Sequence, residues 1–86
     1  APDEPRYHIE YAGVLERLHR LADAEQEYRQ VIRLDPRDAR RHMVLADLLL
    51  QIGRPTAALT EYRNAAAIDP GEPYYKAQIE KLSGMP

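Results

Sequence analysis

The stretch AEQEYRQVIRLDP, residues 24–36, is echoed by ALTEYRNAAAIDP at 58–70, 34 residues later. Aligning 5–38 with 39–72 gives identities at Arg6/Arg40, His8/His42, Ala12/Ala46, Leu15/Leu49, Arg20/Arg54, Ala24/Ala58, Glu27/Glu61, Tyr28/Tyr62, Arg29/Arg63, Asp35/Asp69 and Pro36/Pro70, 11 matches in 34. Ordinary composition yields roughly two or three by chance, so the chain contains an internal repeat. That period constrains the fold more than any other feature. A unit of this length cannot bury its own apolar stripe, and copies must stack.

Each copy reads as two helices. In the first, His8, Tyr11, Ala12, Leu15 and Leu18 follow three- and four-residue steps, which place them on one helical face. Pro5 suits the first turn, where its missing N–H costs nothing. After a break near His19 and Arg20, the positions Leu21, Ala24, Tyr28, Val31, Ile32 and Leu34 make a second stripe. Pro36 ends it by pushing the preceding residue out of the α region. The second copy repeats the plan with Leu45, Ala46, Leu48, Leu49 and Ile52, a Gly53 stop, Pro55 opening the next helix, and Ala58, Leu59, Tyr62, Ala65, Ala66 and Ile68 before Asp69 and Pro70. A fifth segment starts at Pro73 and carries Tyr75, Ile79 and Leu82 at helical spacing. The expected helices span 5–19, 22–35, 39–52, 55–68 and 73–82, an all-α fold with no strand.

Residue size predicts the packing. Ala12 and Ala24, then Ala46 and Ala58, fall where two antiparallel helices of one unit approach closely. Tyr28 and Tyr62 are the large complements that fill the space towards the following unit.

The pattern His8-x2-Tyr11-Ala12-x2-Leu15, Ala24-x3-Tyr28, Pro36, with its copy His42-x2-Leu45-Ala46-x2-Leu49, Ala58-x3-Tyr62, Pro70, resembles the tetratricopeptide repeat. The resemblance implies a right-handed superhelical stack of antiparallel helix pairs, repeat one at 5–38, repeat two at 39–72 and a capping helix at 73–82, in a single domain over 1–86. Four residues depart from the family pattern. His8 and His42 stand where a Trp is common, His19 where a loop Gly is usual, and Glu25 where the second copy has Leu59.

Composition removes several functional classes. An apolar share of 44% and a charged share of 30% suit a folded chain of 86 residues. Its 12 basic and 14 acidic side chains are interspersed, net −2. Only RDARRH, Arg37 to His42, is locally basic, and a solvated helix start accounts for it, so no nucleic-acid partner is expected. With no cysteine there is no disulfide, thiolate ligand or thiol nucleophile. No apolar run approaches the roughly 20 residues that span a bilayer, so no membrane insertion is expected.

Chemistry is equally sparse. His8 and His42 occupy equivalent spots of successive units, too far apart to share a metal ion, and are expected to be half-buried rings in the family's aromatic slot. Ser83 is the one serine, no Gly-rich loop could cradle phosphate, and Glu25 and Glu27 are expected on a solvated helix face. Neither a catalytic residue, a metal nor a cofactor is implied. The chain is not expected to be an enzyme.

Two functional readings remain. In the first, the slight rotation per unit curves the stack and the first helices line its concave side. The residues pointing there are Arg6, Ile9, Gly13, Glu16 and Arg17, then Arg40, Met43, Asp47, Leu50 and Gln51, continued by Tyr74, Ala77 and Lys81, a groove part apolar and part basic that suits an acidic, partly apolar protein segment. Members that clamp a C-terminal carboxylate carry Lys and Asn where this chain has Ile9, Gly13, Met43 and Asp47, so that role is not expected. In the second reading, the chain belongs to a longer array or forms a homo-oligomer through an open end bearing Tyr7, Val14 and Leu18.

Overall fold

Proline and glycine punctuation cuts the chain into five helices: α1 (Pro5–Arg17), α2 (Leu21–Leu34), α3 (Ala39–Ile52), α4 (Pro55–Ile68) and α5 (Pro73–Ser83). The computed structural model describes residues 4–84, so the first three residues of APDEP and the last two of the chain lie outside it. Proline opens α1, α4 and α5. The start of α3 is capped instead by Asp38, which accepts from the Arg40 N–H at 3.0 Å. Asp35 and Asp69, each before a proline, take φ −143° and −131° and leave the helical region, ending α2 and α4.

The bounds of α3 and α4 coincide with those expected. α1 stops two residues short of position 19, because its end is a tight cap and not a fraying turn. Arg20 N–H donates to Leu15 C=O at 2.8 Å and His19 N–H to Glu16 C=O at 2.9 Å. This motif puts His19 in the left-handed region at φ +60°, the role Gly53 fills one period later at φ +86° with the matching bonds Arg54 to Leu49 and Gly53 to Leu50. Glycine is free of the steric penalty that His19 bears there.

The helices stack in file. α1 packs on α2 and α3 on α4 within units, α2 meets α3 between units, and α5 closes on α4, giving an object of 40 × 25 × 16 Å. The fold is an all-α solenoid, and no strand occurs among the described residues. Ala12, Ala24, Ala46 and Ala58 are all fully buried, so small side chains do stand at the helix crossings. Around them Leu15, Tyr28, Leu45, Leu48, Leu49, Tyr62 and Leu82 form one cluster, and Ala39, Ala65 and Tyr75 a second where α5 docks.

Several side chains sit differently from expectation. Tyr11 and Leu18, expected on one apolar face of α1 with Ala12 and Leu15, are 53% and 63% exposed, Leu18 together with the Tyr7 and Val14 of the expected open end. They point along the stack to where a preceding unit would lie, whereas their counterparts on α3, Leu45 and Ile52, are covered by α2. Leu34 and Ile68 are exposed as well, each being the last residue of its helix. Glu25 is not on a solvated face but buried, held by Arg29 at 2.9 Å and by Arg54 of the next unit at 3.0 Å. The long reach of Arg54 makes this burial tolerable, since a buried carboxylate needs paired, hydrogen-bonded cations.

Candidate functional site

Two sets of polar contacts fix the first helix of each unit against the second. The His8 Nδ1 lies 2.7 Å from Glu27 Oε1, and one period later His42 Nδ1 lies 2.8 Å from Glu61 Oε1. The His42 Nε2 also lies 3.1 Å from the Pro36 carbonyl. The rings occupy the aromatic slot of each unit, half-buried for His8 and buried for His42, and each ties its helix to a carboxylate 19 residues on. Glu27 is therefore partly buried and engaged, not merely solvated. No three His, Asp or Glu side chains converge as a metal ion would need among the described residues.

The second set belongs to the tyrosines. Tyr28 donates its hydroxyl to Glu16, and Tyr62 donates to Asp47 Oδ1. Asp47 Oδ1 accepts as well from the Tyr74 hydroxyl at 2.8 Å, and Gln78 Nε2 donates to Tyr74 at 3.0 Å, with the Tyr62 and Tyr74 rings edge to face at 6.0 Å. Burial first, and then the adjacent carboxylate, push both the Tyr28 and Tyr62 hydroxyls well above the ordinary 10.0, so both remain donors throughout the physiological range. The acceptor differs between units by one helical turn. Glu16 corresponds to Leu50, and Asp47 to Gly13.

These contacts set the face on which the sequence placed its candidate site. Ile9, Gly13 and Glu16 on α1, and Met43, Asp47 and Leu50 on α3, are half-buried at the same four- and three-residue steps. Arg6, Arg17, Arg40, Gln51, Tyr74, Ala77 and Lys81 are exposed around them. The Arg6 and Arg40 side chains are 74% and 75% exposed, each with one carboxylate at 4.0 and 3.9 Å, pairs too solvated to hold the guanidinium. The structure unites the later members of the set. Asp47 bonds Tyr74, and Leu50 and Lys81 line one cavity of about 300 Å³ with Gln78 and Leu82. It joins α1 to α3 by no hydrogen bond among the described residues.

One residue of the expected groove has a second role. Met43, read as pointing into the groove, also packs against both apolar clusters. On α4, Glu61 holds His42 and accepts from Asn64 at 3.4 Å. Sequence reasoning also missed Gln78, whose amide ties the two tyrosines together.

A family model for the tetratricopeptide repeat matches residues 2–73. The chain belongs to the tetratricopeptide repeat family. Among solved structures it is similar to PcrH in complex with the chaperone binding region of PopD, with a TM-score of 0.73 and 21% identity over 99% of this chain and 64% of that one. It is also similar to a T3SS complex from Aeromonas hydrophila, with a TM-score of 0.71 and 18% identity over 94% of this chain and 54% of that one. The chain thus spans less than two thirds of either, and at these identities the likeness is one of fold. A comparison with curated protein sequences gives no match. Of this repeat's departures from the family pattern, the structure accounts for three in physical terms: His8 and His42 as links to Glu27 and Glu61, and Glu25 as the anchor for Arg54.

Proposed function

We propose that this tetratricopeptide domain is a non-enzymatic recognition module that takes an acidic, partly apolar segment of a protein partner along the face of α1, α3 and α5. The observation that carries the reading is the composition of that face: a half-buried strip containing Ile9, Met43 and Leu50, flanked by Arg6, Arg17, Arg40 and Lys81, in a chain whose net charge is −2. The four cations share that face with Glu16 and Asp47, while Glu4 and Asp38 lie near Arg6 and Arg40 in pairs too solvated to hold the guanidinium. Glu16 and Asp47 are, moreover, engaged by tyrosine hydroxyls. Charge of this kind orients an incoming acidic segment, and the apolar strip with the cavity at Leu50 contributes affinity. That a chain of this fold was solved holding the chaperone binding region of PopD supports a segment of another protein as the occupant.

Panning a random peptide display library against the domain tests this. The reading expects selected peptides rich in Asp or Glu beside apolar residues, with binding lost in the Arg6→Glu, Arg40→Glu double variant and kept in Arg63→Glu, a charge reversal at an exposed position of α4. Met43→Ala is unsuitable as the groove variant because that side chain also serves the core. Peptides that bind the groove variant normally but are lost in Arg63→Glu would move recognition to the outer helices and contradict the reading.

A further inference from the structure

Of the seven large apolar side chains that are exposed among the described residues, four lie on one strip of α1: Tyr7, Tyr11, Val14 and Leu18. Their spacing of four, three and four residues is that of a helix-pairing seam. His8, Ala12 and Leu15, on the adjoining side, face α2 and are excluded from it. One period later the equivalent strip holds Leu45, Leu48 and Ile52 and is covered by α2. The fold therefore shows what such a strip does when a helix is offered to it.

We infer that this strip is a two-fold interface between two copies of the chain, formed by antiparallel pairing of α1 with the partner's α1. Charge complementarity selects this occupant and this direction. Glu10 and Arg17 are exposed, seven residues apart, and border the strip on its same side. Antiparallel pairing sets Tyr7 against the partner's Leu18 and Tyr11 against the partner's Val14, and brings Glu10 to the partner's Arg17 and Arg17 to the partner's Glu10. Parallel pairing sets like charges level and gains neither contact. Among the described residues, the outward side of α5 carries exposed Lys76, Glu80 and Ser83, and the stacking faces of α2 and α4 are covered by α3 and α5. A two-fold pairing of this strip with itself closes at two copies.

A helix of 13 residues presents a seam only about 20 Å long, which places the association among weak, reversible ones. Sedimentation of the chain from about 1 μM to about 1 mM tests it. The expected result is a monomer–dimer equilibrium that Val14→Glu abolishes with the helical spectrum unchanged. Glu10→Arg or Arg17→Glu alone should each weaken the dimer about tenfold, and the two together should restore it. A monomer at the highest concentration, growth beyond the dimer, a dimer indifferent to Val14→Glu, or single reversals that do not rescue one another would each overturn the inference.

Discussion

Repeat one and repeat two share 11 of 34 residues, yet they are not equally finished. Both stacking strips of repeat two have a neighbour: α2 covers α3, and α5 covers α4. In repeat one, α2 is covered by α3 while the strip on the far side of α1 faces solvent. The local devices differ in the same direction. Repeat two has an Asp38 cap, a left-handed Gly53 and a second acceptor for His42. Repeat one has no side-chain cap at Glu4 and a left-handed His19. The lesson is that a repeat's stability depends on what is stacked against it as much as on its own sequence.

The largest expected contrast is at equivalent positions of that strip, Val14 at 39% exposure and Leu48 at 1%. Leu48→Ala should cost about 2–5 kcal/mol through lost burial and a cavity, while Val14→Ala, measured at a concentration where the chain is monomeric, should stay within about 0.5 kcal/mol. Equal losses in urea denaturation would break the comparison.

Next come the tyrosine hydroxyls. Tyr62→Phe takes from the Asp47 carboxylate its buried donor and should cost about 1.5–3 kcal/mol, and Tyr28→Phe less, because the half-buried Glu16 can turn to water. The pH dependence has a definite sign. Both hydroxyls titrate higher in the folded state than the ordinary 10.0, so the stabilisation is complete below that pH and is lost as the pH rises above it. The Tyr28→Phe, Tyr62→Phe variant should therefore show a flatter alkaline decline in melting temperature than the parent. An identical decline would mean that neither hydroxyl is held as described.

Smaller still are the effects at the two helix ends. Gly53→Ala should cost about 1 kcal/mol from its φ alone, since an added Cβ meets nothing within 4 Å. His19→Gly should be neutral to stabilising by up to about 1 kcal/mol, relief of the left-handed strain being partly offset by unfolded-chain entropy. Thermal unfolding of the pair checks both signs, and a marked loss in His19→Gly would mean that the imidazole itself contributes there.

Which features could be read from the chain follows from how far their causes reach along it. The five helices were legible because proline and glycine act on their own neighbours, and the bounds of α3 and α4 needed nothing more. The end of α1 was not, since a histidine in place of glycine hides the left-handed cap that the period with Gly53 implies. The links from His8 to Glu27 and from His42 to Glu61 could have been found, because both members recur at the same spacing of 19. The acceptors of Tyr28 and Tyr62 could not be found by alignment, since they are displaced by one turn between units. Glu25 looked solvated because its partner Arg54 lies 29 residues away. Helical periodicity sets Tyr11 and Leu18 on one apolar side with Ala12 and Leu15, but it does not say whether anything stands against that side. For the proposed recognition face, the residues can be read from the sequence, whereas the bonds that hold Glu16, Asp47 and Tyr74 in place are seen only in the structure.

Backbone amide mapping tests the central claim, that the first helices of both repeats form the recognition surface. With a peptide selected against the domain added to the labelled chain, the account predicts amide shifts concentrated on α1, α3 and α5, around Ile9, Met43, Leu50 and Lys81, and little change on the exposed side of α4 at Thr60 and Arg63. Shifts centred on the outer sides of α2 and α4, with α3 and α5 unmoved, would contradict it.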